Sequence, residues 1–400
     1  MGSRAHRKSQ RFDIRWLGAV HALCFLAAWF LWLIAFRALR GAAWWIVTIL
    51  ALWIFTDVGY VSYLNTFYTD AAALLGAMIM LPSALWLLST DEPRAAPIVW
   101  FALGSGLFLT SKGQHGALVP MIVAFLLAAR WRDLRRYRAL KLIFASLLIA
   151  GASWVLWKTP DWYKSQCRFN LVFAKILPNS LSPAQDLAEL GLSQTDLPYI
   201  GQTAFFATSP ALDPAWLEAF SHRGGYAQVA MFWLRHPART LAILRMDLES
   251  EVWPRRPLGF SNFRREDGRP AAAQTTRFGS WSAWRTQVVR WWPEHLVVWY
   301  ALVLLCGPIL AWRASAGLGQ AAAWTAVFAA VLGLIEYLLT SVADAAETQR
   351  HLLIFHWFTD ITLLLAVTFA ASKTRSALAT SAARAATLPG TPHPRGDSRP

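Results

Sequence analysis

Three short polar stretches carry side chains that can do chemistry together. The first is Phe55 to Asp70, Phe-Thr-Asp-Val-Gly-Tyr-Val-Ser-Tyr-Leu-Asn-Thr-Phe-Tyr-Thr-Asp, which holds Asp57, Asn65 and Asp70 and contains no Lys or Arg. The second is Ser-Lys-Gly-Gln-His at 111 to 115, where Lys112 and His115 stand at i and i+3 and share a face if the turn is helical. The third is Asp344, Glu347, Arg350 and His351, in which Glu347 can reach both Arg350 and His351. Two carboxylates at a wet membrane edge can act as general base for an acceptor, or ligate a hard divalent cation such as Mg or Mn. Lys and Arg at the same level can hold a phosphate or diphosphate through charge-assisted hydrogen bonds. Together these groups fit transfer from a lipid-phosphate donor. Each stretch also has a plainer reading: a polar connector with interfacial tyrosines, a lysine marking an interface, and an exposed helical ion pair worth a few tenths of a kcal/mol.

The elements that must position these residues are apolar. The chain has 400 residues, 56 % of them hydrophobic, with 23 Trp and 23 Phe gathered in blocks, which is the composition of a polytopic membrane protein. A net charge of +15 and a pI near 10.3 raise nucleic acid as a partner. The Arg residues fall between the apolar blocks, however, where the positive-inside rule expects them, so no nucleic-acid partner is expected. Cys24 and Cys306 lie in apolar segments and only Cys167 lies outside them, so the chain writes neither a disulfide framework nor a cysteine zinc site.

About nine spans are expected, at 16–36, 43–55, 71–89, 97–110, 117–129, 142–157, 295–312, 321–341 and 351–371. Those at 97–110 and 117–129 are short and read as two short helices or a broken pair. Arg130, Arg132, Arg135, Arg136, Arg138 and Lys141 crowd the loop after them, which should be cytoplasmic. The boundaries that follow are a basic segment 1–15, membrane helices 16–157, an external section 158–294, membrane helices 295–371 and a disordered cytoplasmic tail 372–400. Two passes at 97–129 put 57–70 outside. They also put Arg4, Arg7, Lys8, Arg11 and Arg15 outside, which is resolved if 97–129 crosses only once or if an earlier span preceded the chain; the second is favoured, because a single crossing would put the acidic, aromatic loop in the cytoplasm and the Arg37/Arg40 turn outside.

The external section carries helix signals. Ser182-Pro183-Ala184-Gln185 has a cap, a first-turn Pro and a capping-box Gln, with Gly191 suited to the helix end. Asp213-Pro214 repeats the start. Residues 227–246 mix apolar and Arg side chains and read as a membrane-surface helix bent at Pro237. Residues 259–279 read as a loop.

Ionisable residues at membrane depth offer a different function. Glu336 falls within the eighth span, and His356 with Asp360 in the ninth at i and i+4, a pattern that marks transport or proton pathways or a structural helix pair. His21 in the first span reads as a packed core histidine.

The chain resembles the polytopic C-type (GT-C) membrane glycosyltransferases. The resemblance rests on Tyr63-Leu64-Asn65-Thr66-Phe67-Tyr68-Thr69-Asp70 before a span, Lys112-Gly113-Gln114-His115 between two short helices, and Glu347-Thr348-Gln349-Arg350-His351 before the last span. It covers residues 16 to 371 in arrangement. It implies an all-α, GT-C-like transmembrane bundle with an external, mainly helical insertion. It also implies a polyprenyl-phosphate sugar donor and a cell-envelope acceptor, in a bacterial plasma membrane. Asp70 would correspond to the acidic residue of the second outer loop, Lys112, Arg350 and His351 would face the donor phosphate, and Asn65, His115 and Glu347 would complete the binding site. The family's principal catalytic acid lies in a first outer loop that this chain lacks, so a first span is expected to be missing; otherwise Asp57 must substitute. The alternatives are a transporter or flippase using Glu336, His356 and Asp360, and a non-catalytic scaffold of envelope assembly.

Overall fold

A computed structural model describes residues 13–90, 94–130, 135–250, 263, 265–270, 273–343, 345 and 348–387. Asp344 and Glu347 lie outside the described residues, as do parts of the loop expected at 259–279.

All regular structure among the described residues is helical. The membrane helices are α1 (Ile14–Phe36), α2 (Gly41–Phe55), α3 (Asp70–Ser89), α4 (Ala96–Ser111), α5 (Val119–Ala128) and α6 (Arg138–Lys158). The section expected to be external, 158–294, supplies α7 (Asp161–Phe169), α8 (Pro183–Glu189), α9 (Pro214–Ser221), α10 (Tyr226–Arg235), α11 (Pro237–Ser250) and α12 (Ser280–Trp291). Then follow α13 (His295–Arg313), α14 (Leu318–Ala343) and α15 (Leu353–Thr387). Among the described residues six helices are long and apolar enough to cross a bilayer, and α2 with Val58–Asn65 forms a further pair bent by 45°. With the two shorter apolar helices at 96–128 the number of segments is compatible with the roughly nine expected. From Ala96 to Ser111 an α-helix rises roughly 24 Å. Gly113–Leu118 is a 3₁₀ helix leading into α5; its rise of about 2 Å per residue stretches this short segment to roughly 27 Å.

The spans differ in burial. Only 22–28 % of the apolar window is buried in α1, α6 and α13, whose Phe30, Leu147, Trp154 and Leu305 face outward, whereas 83 % is buried in α3 and 72 % in α15. Helices α3, α14 and α15 are therefore the inner ones, and lipid supplies the apolar surroundings of the others. Trp32, Phe36, Phe55 and Trp357 interlock where α1, α2 and α15 meet, the Phe55 and Trp357 centroids lying 4.8 Å apart. Between α3 and α4 the backbones nearly touch. A Cβ on Gly76 would fall 2.5 Å from the Phe108 nitrogen, and one on Gly104 2.5 Å from the Met80 nitrogen.

The bundle has two unlike ends. At one, the Arg37 guanidinium lies 5.9 Å from the Trp86 ring, Arg130 shares a cavity of about 240 Å³ with Ser89, Thr90 and Gln320, and Lys141 donates to the Ala129 carbonyl. At the other, His21 Nδ1 meets the Leu64 carbonyl at 2.7 Å, which also gathers Asp70 and the external section. The chain between Lys112 and Arg130 runs from one end to the other, so 97–129 passes twice.

The external section has its own core of Phe169, Phe173, Leu187, Phe220 and Phe232. Helices α8 and α9 start at Pro183 and Pro214, with Asp213 accepting from the Ala215 N–H. Gly191 ends α8 at φ +73°, a conformation costly for other residues, and the Leu192 N–H returns to the Leu187 carbonyl. The stretch 227–246 is broken at His236 by Pro237, as expected. Val229, Phe232 and Trp233 enter the core of the 158–294 section, α11 packs on α14, where Tyr337 donates to the Leu244 carbonyl, and Leu234 and Leu241 remain exposed.

Candidate functional site

The first turn of α3 begins with Asp70, whose side chain is fully buried where water would ordinarily stabilise it. Burying a carboxylate needs paired charge, and two cations supply it. Lys112 Nζ stands 2.5 Å from Oδ1, and Arg350 Nη1 stands 3.6 Å from Oδ2. Oδ2 has no hydrogen-bond donor of its own. Lys112 caps the end of α4 in extended conformation, and Arg350 comes from the single turn Thr348–His351 before α15. The Arg350 guanidinium lies 4.2 Å from the Tyr68 ring centroid, and its Nη2 donates to His351 Nε2 at 3.3 Å.

His351 is buried, and that burial, followed by the nearby charges of Lys112 and Arg350, holds its imidazole well below the usual pKa. It is therefore neutral at physiological pH, which suits it to accept from Arg350. Beneath Lys112, Gln114 Nε2 donates to Glu336 Oε2 at 3.2 Å and His115 Nε2 faces Glu336 Oε1 at 3.4 Å. His115 stacks on Phe108, centroids 4.3 Å apart and planes within 6°.

The structure thus brings together Asp70, Lys112, His115, Arg350 and His351 from the three sequence stretches. It adds Gln114, Tyr68 and Glu336. Gln114 and Tyr68 had a signal, since both lie inside the quoted stretches. Glu336 was visible as an ionisable residue within a span, but its partners come from a distant segment and spacing cannot show them.

Two expected members are elsewhere by their contacts. Asn65 is exposed, and its amide lies over Gly18 of α1. Asp57 is buried as the cap of the turn Val58–Val61, accepting from the Gly59 N–H at 2.8 Å and from the backbone N–H of Ser282 at 3.0 Å, with the Ser282 hydroxyl also bonded to it. Asp57 belongs to a second network, in which Asp360 receives Tyr60 OH and Trp281 Nε1, both at 2.6 Å, and pairs with Arg285 Nε at 3.1 Å. His356 is buried one turn before Asp360. The ionisable residues Glu336 and Asp360 are thus divided between two networks.

Among the described residues of these stretches, a divalent cation finds no suitable donor set. Both Asp70 oxygens face cations, and Asp57 is saturated by Ser282 and Gly59. Asp186, Glu189 and His236 have metal-like spacing in the external section, but Arg239 and Ser180 hold Asp186, and Arg235 and His236 hold Glu189.

A family model described as the YfdI N-terminal transmembrane domain matches residues 4–386. No curated protein and no solved structure matches the chain.

Proposed function

The chain belongs to the YfdI N-terminal transmembrane domain family, an assignment that makes it an integral, multi-pass membrane protein, and on that premise we propose that it is a glycosyltransferase of GT-C type. It transfers a sugar from a polyprenyl-phosphate donor to a cell-envelope acceptor on the outer face of a bacterial plasma membrane. The observation that carries this reading is the convergence of Asp70, Lys112 and Arg350, from three separate parts of the chain, on one buried point at the end of the bundle that bears the external section.

The chemistry follows from the charges. In transfer, the acceptor oxygen bonds to the anomeric carbon while the carbon–oxygen bond to phosphate breaks, and the phosphate leaves with the electron pair. Lys112 and Arg350 are the cations that take up this growing negative charge, and in a site shielded from water each acts strongly. As they turn toward the phosphate, they release Asp70. Its Oδ2, which lacks a donor, accepts the proton of the acceptor hydroxyl. Neutral His351 supports Arg350 without competing for the phosphate. No step runs through a metal ion.

Asp70→Asn tests the assignment. With membranes supplied with a panel of polyprenyl-phosphate hexoses and pentoses, the wild type should transfer sugar and the variant should lose about 100-fold or more. The variant should remain folded in the membrane, read by its elution as a monodisperse species in detergent. Undiminished transfer by Asp70→Asn would overturn the reading.

A further inference from the structure

Glu336 is a fully buried carboxyl on α14 with one hydrogen bond to one of its oxygens, from Gln114. Its other oxygen, Oε1, faces His115 Nε2 at 3.4 Å, and among the described residues neither atom has a hydrogen-bond partner. The state of His115 can be read from its far side. Nδ1 lies 2.8 Å from the Phe108 carbonyl, which can only accept, and 3.0 Å from the Ser111 hydroxyl, whose own hydrogen goes to that same carbonyl, so Nδ1 carries a hydrogen. In a neutral imidazole, Nε2 then presents a lone pair. A lone pair aimed at a carboxylate oxygen in a dry interior repels it; one proton between them turns the contact into a hydrogen bond. Burial favours the neutral form of that bond over an imidazolium–carboxylate pair.

We propose that Glu336 is protonated, donates from Oε1 to His115 Nε2, and through this one proton is the positioning residue of the donor-phosphate site. The link runs through the segment 112–115. Lys112 sits there in extended backbone (φ −145°, ψ 144°) with no capping side chain. What fixes the segment from below is Glu336, which binds both Gln114 and His115. The Lys112 ammonium is thereby held at the level of Asp70 and Arg350. Lys112 and Asp70 act on both members of the pair, His351 faces His115, and the buried Lys175–Asp247 pair of the external section stands behind His351.

The role assigned to Lys112 rests on the glycosyltransferase reading; the shared proton does not. Glu336→Gln mimics the protonated acid, since its amide can donate to His115 Nε2 while its oxygen accepts from Gln114. This variant should keep kcat and donor KM within about twofold of wild type. Glu336→Leu should raise donor KM about tenfold, the worth of a buried hydrogen bond, with a much smaller change in kcat. A collapse of kcat in Glu336→Gln at unchanged KM, or an unchanged KM in Glu336→Leu, would overturn the proposal. Infrared difference spectra of wild type against Glu336→Gln in the membrane give a readout that needs no turnover and no Leu variant. They should show the C=O stretch of one protonated carboxyl at neutral pH, and its absence defeats the shared proton. If the wild type transfers sugar from no donor while that band is present, the function fails and the shared proton stands.

Discussion

Asp57 and Asp70 share one stretch of sequence, and their partners give them different work. Asp57 is satisfied by the Gly59 and Ser282 N–H groups and the Ser282 hydroxyl, so it ties the turn after α2 to α12. Asp70 is held by long-range cations, and among the described residues its Oδ2 has no hydrogen-bond donor. Asp57→Ala therefore removes a helix cap and strands buried donors. It should cost about 1–3 kcal/mol of stability, measured as a lower temperature of aggregation in detergent, while transfer measured well below that temperature stays near wild type. Loss of transfer in a folded Asp57→Ala protein would place Asp57 in the chemistry instead. Residue types and spacing made Asp70, Lys112, His115, Arg350 and His351 legible as a group, because each lies at the end of an apolar run. What separates Asp57 from Asp70 is Ser282, a serine with no distinguishing feature until the fold sets it opposite.

At the scale of elements, the site depends on how closely α3 and α4 approach, since Asp70 opens one and Lys112 closes the other. Gly76 and Gly104 face each other's backbones with no room for a Cβ. The nearest atoms in the way are main-chain atoms, joined at Gly104 by the Ile79 Cγ2 methyl, and main chain cannot rotate aside, so a methyl group must push the helices apart. Gly104→Ala should cost about 1–3 kcal/mol through this overpacking and reduce sugar transfer with it. Gly106→Ala on the same helix is the control: its nearest neighbour would be Leu148 Cδ2 at 3.7 Å, an ordinary contact, so stability and transfer should be unchanged. Equal behaviour of the two variants, in thermal stability and in transfer, would refute the argument. The spans themselves were legible because a bilayer demands long apolar runs and the chain supplies them. Their pairing was not, since lipid-facing and helix-facing surfaces are equally apolar and only the glycines differ. Proline at 237 and the Asp213-Pro214 start were readable for local reasons, whereas the seating of α10 and α11 against the external core and α14 depends on contacts far apart in sequence.

Across the whole molecule, the two ends of the bundle carry different chemistry, and this decides which side the site serves. Arg37, Arg130 and Lys141 mark one end, and Asp70, Lys112, Arg350 and the external section mark the other. Counting spans in sequence left 97–129 open between one pass and two. The positions of Lys112 and Arg130 at opposite ends make it two, with the 3₁₀ stretch supplying length that residue counting misses. Short loops rich in Lys and Arg stay in the cytoplasm, while a long section crosses largely regardless of its charge. The end with Arg130 should therefore be cytoplasmic and the Asp70 end should face outward. Leu181, fully exposed in the external section, and Ser315, exposed in the turn between α13 and α14, report the two ends. In a background with Cys24, Cys167 and Cys306 replaced, a membrane-impermeant maleimide should label Leu181→Cys in intact cells and Ser315→Cys only after permeabilisation. The reverse pattern would turn Asp70 to the cytoplasm. The same buried triad would then meet a donor and an acceptor on the inner face, and an outward-facing transferase would no longer be the reading its geometry favours.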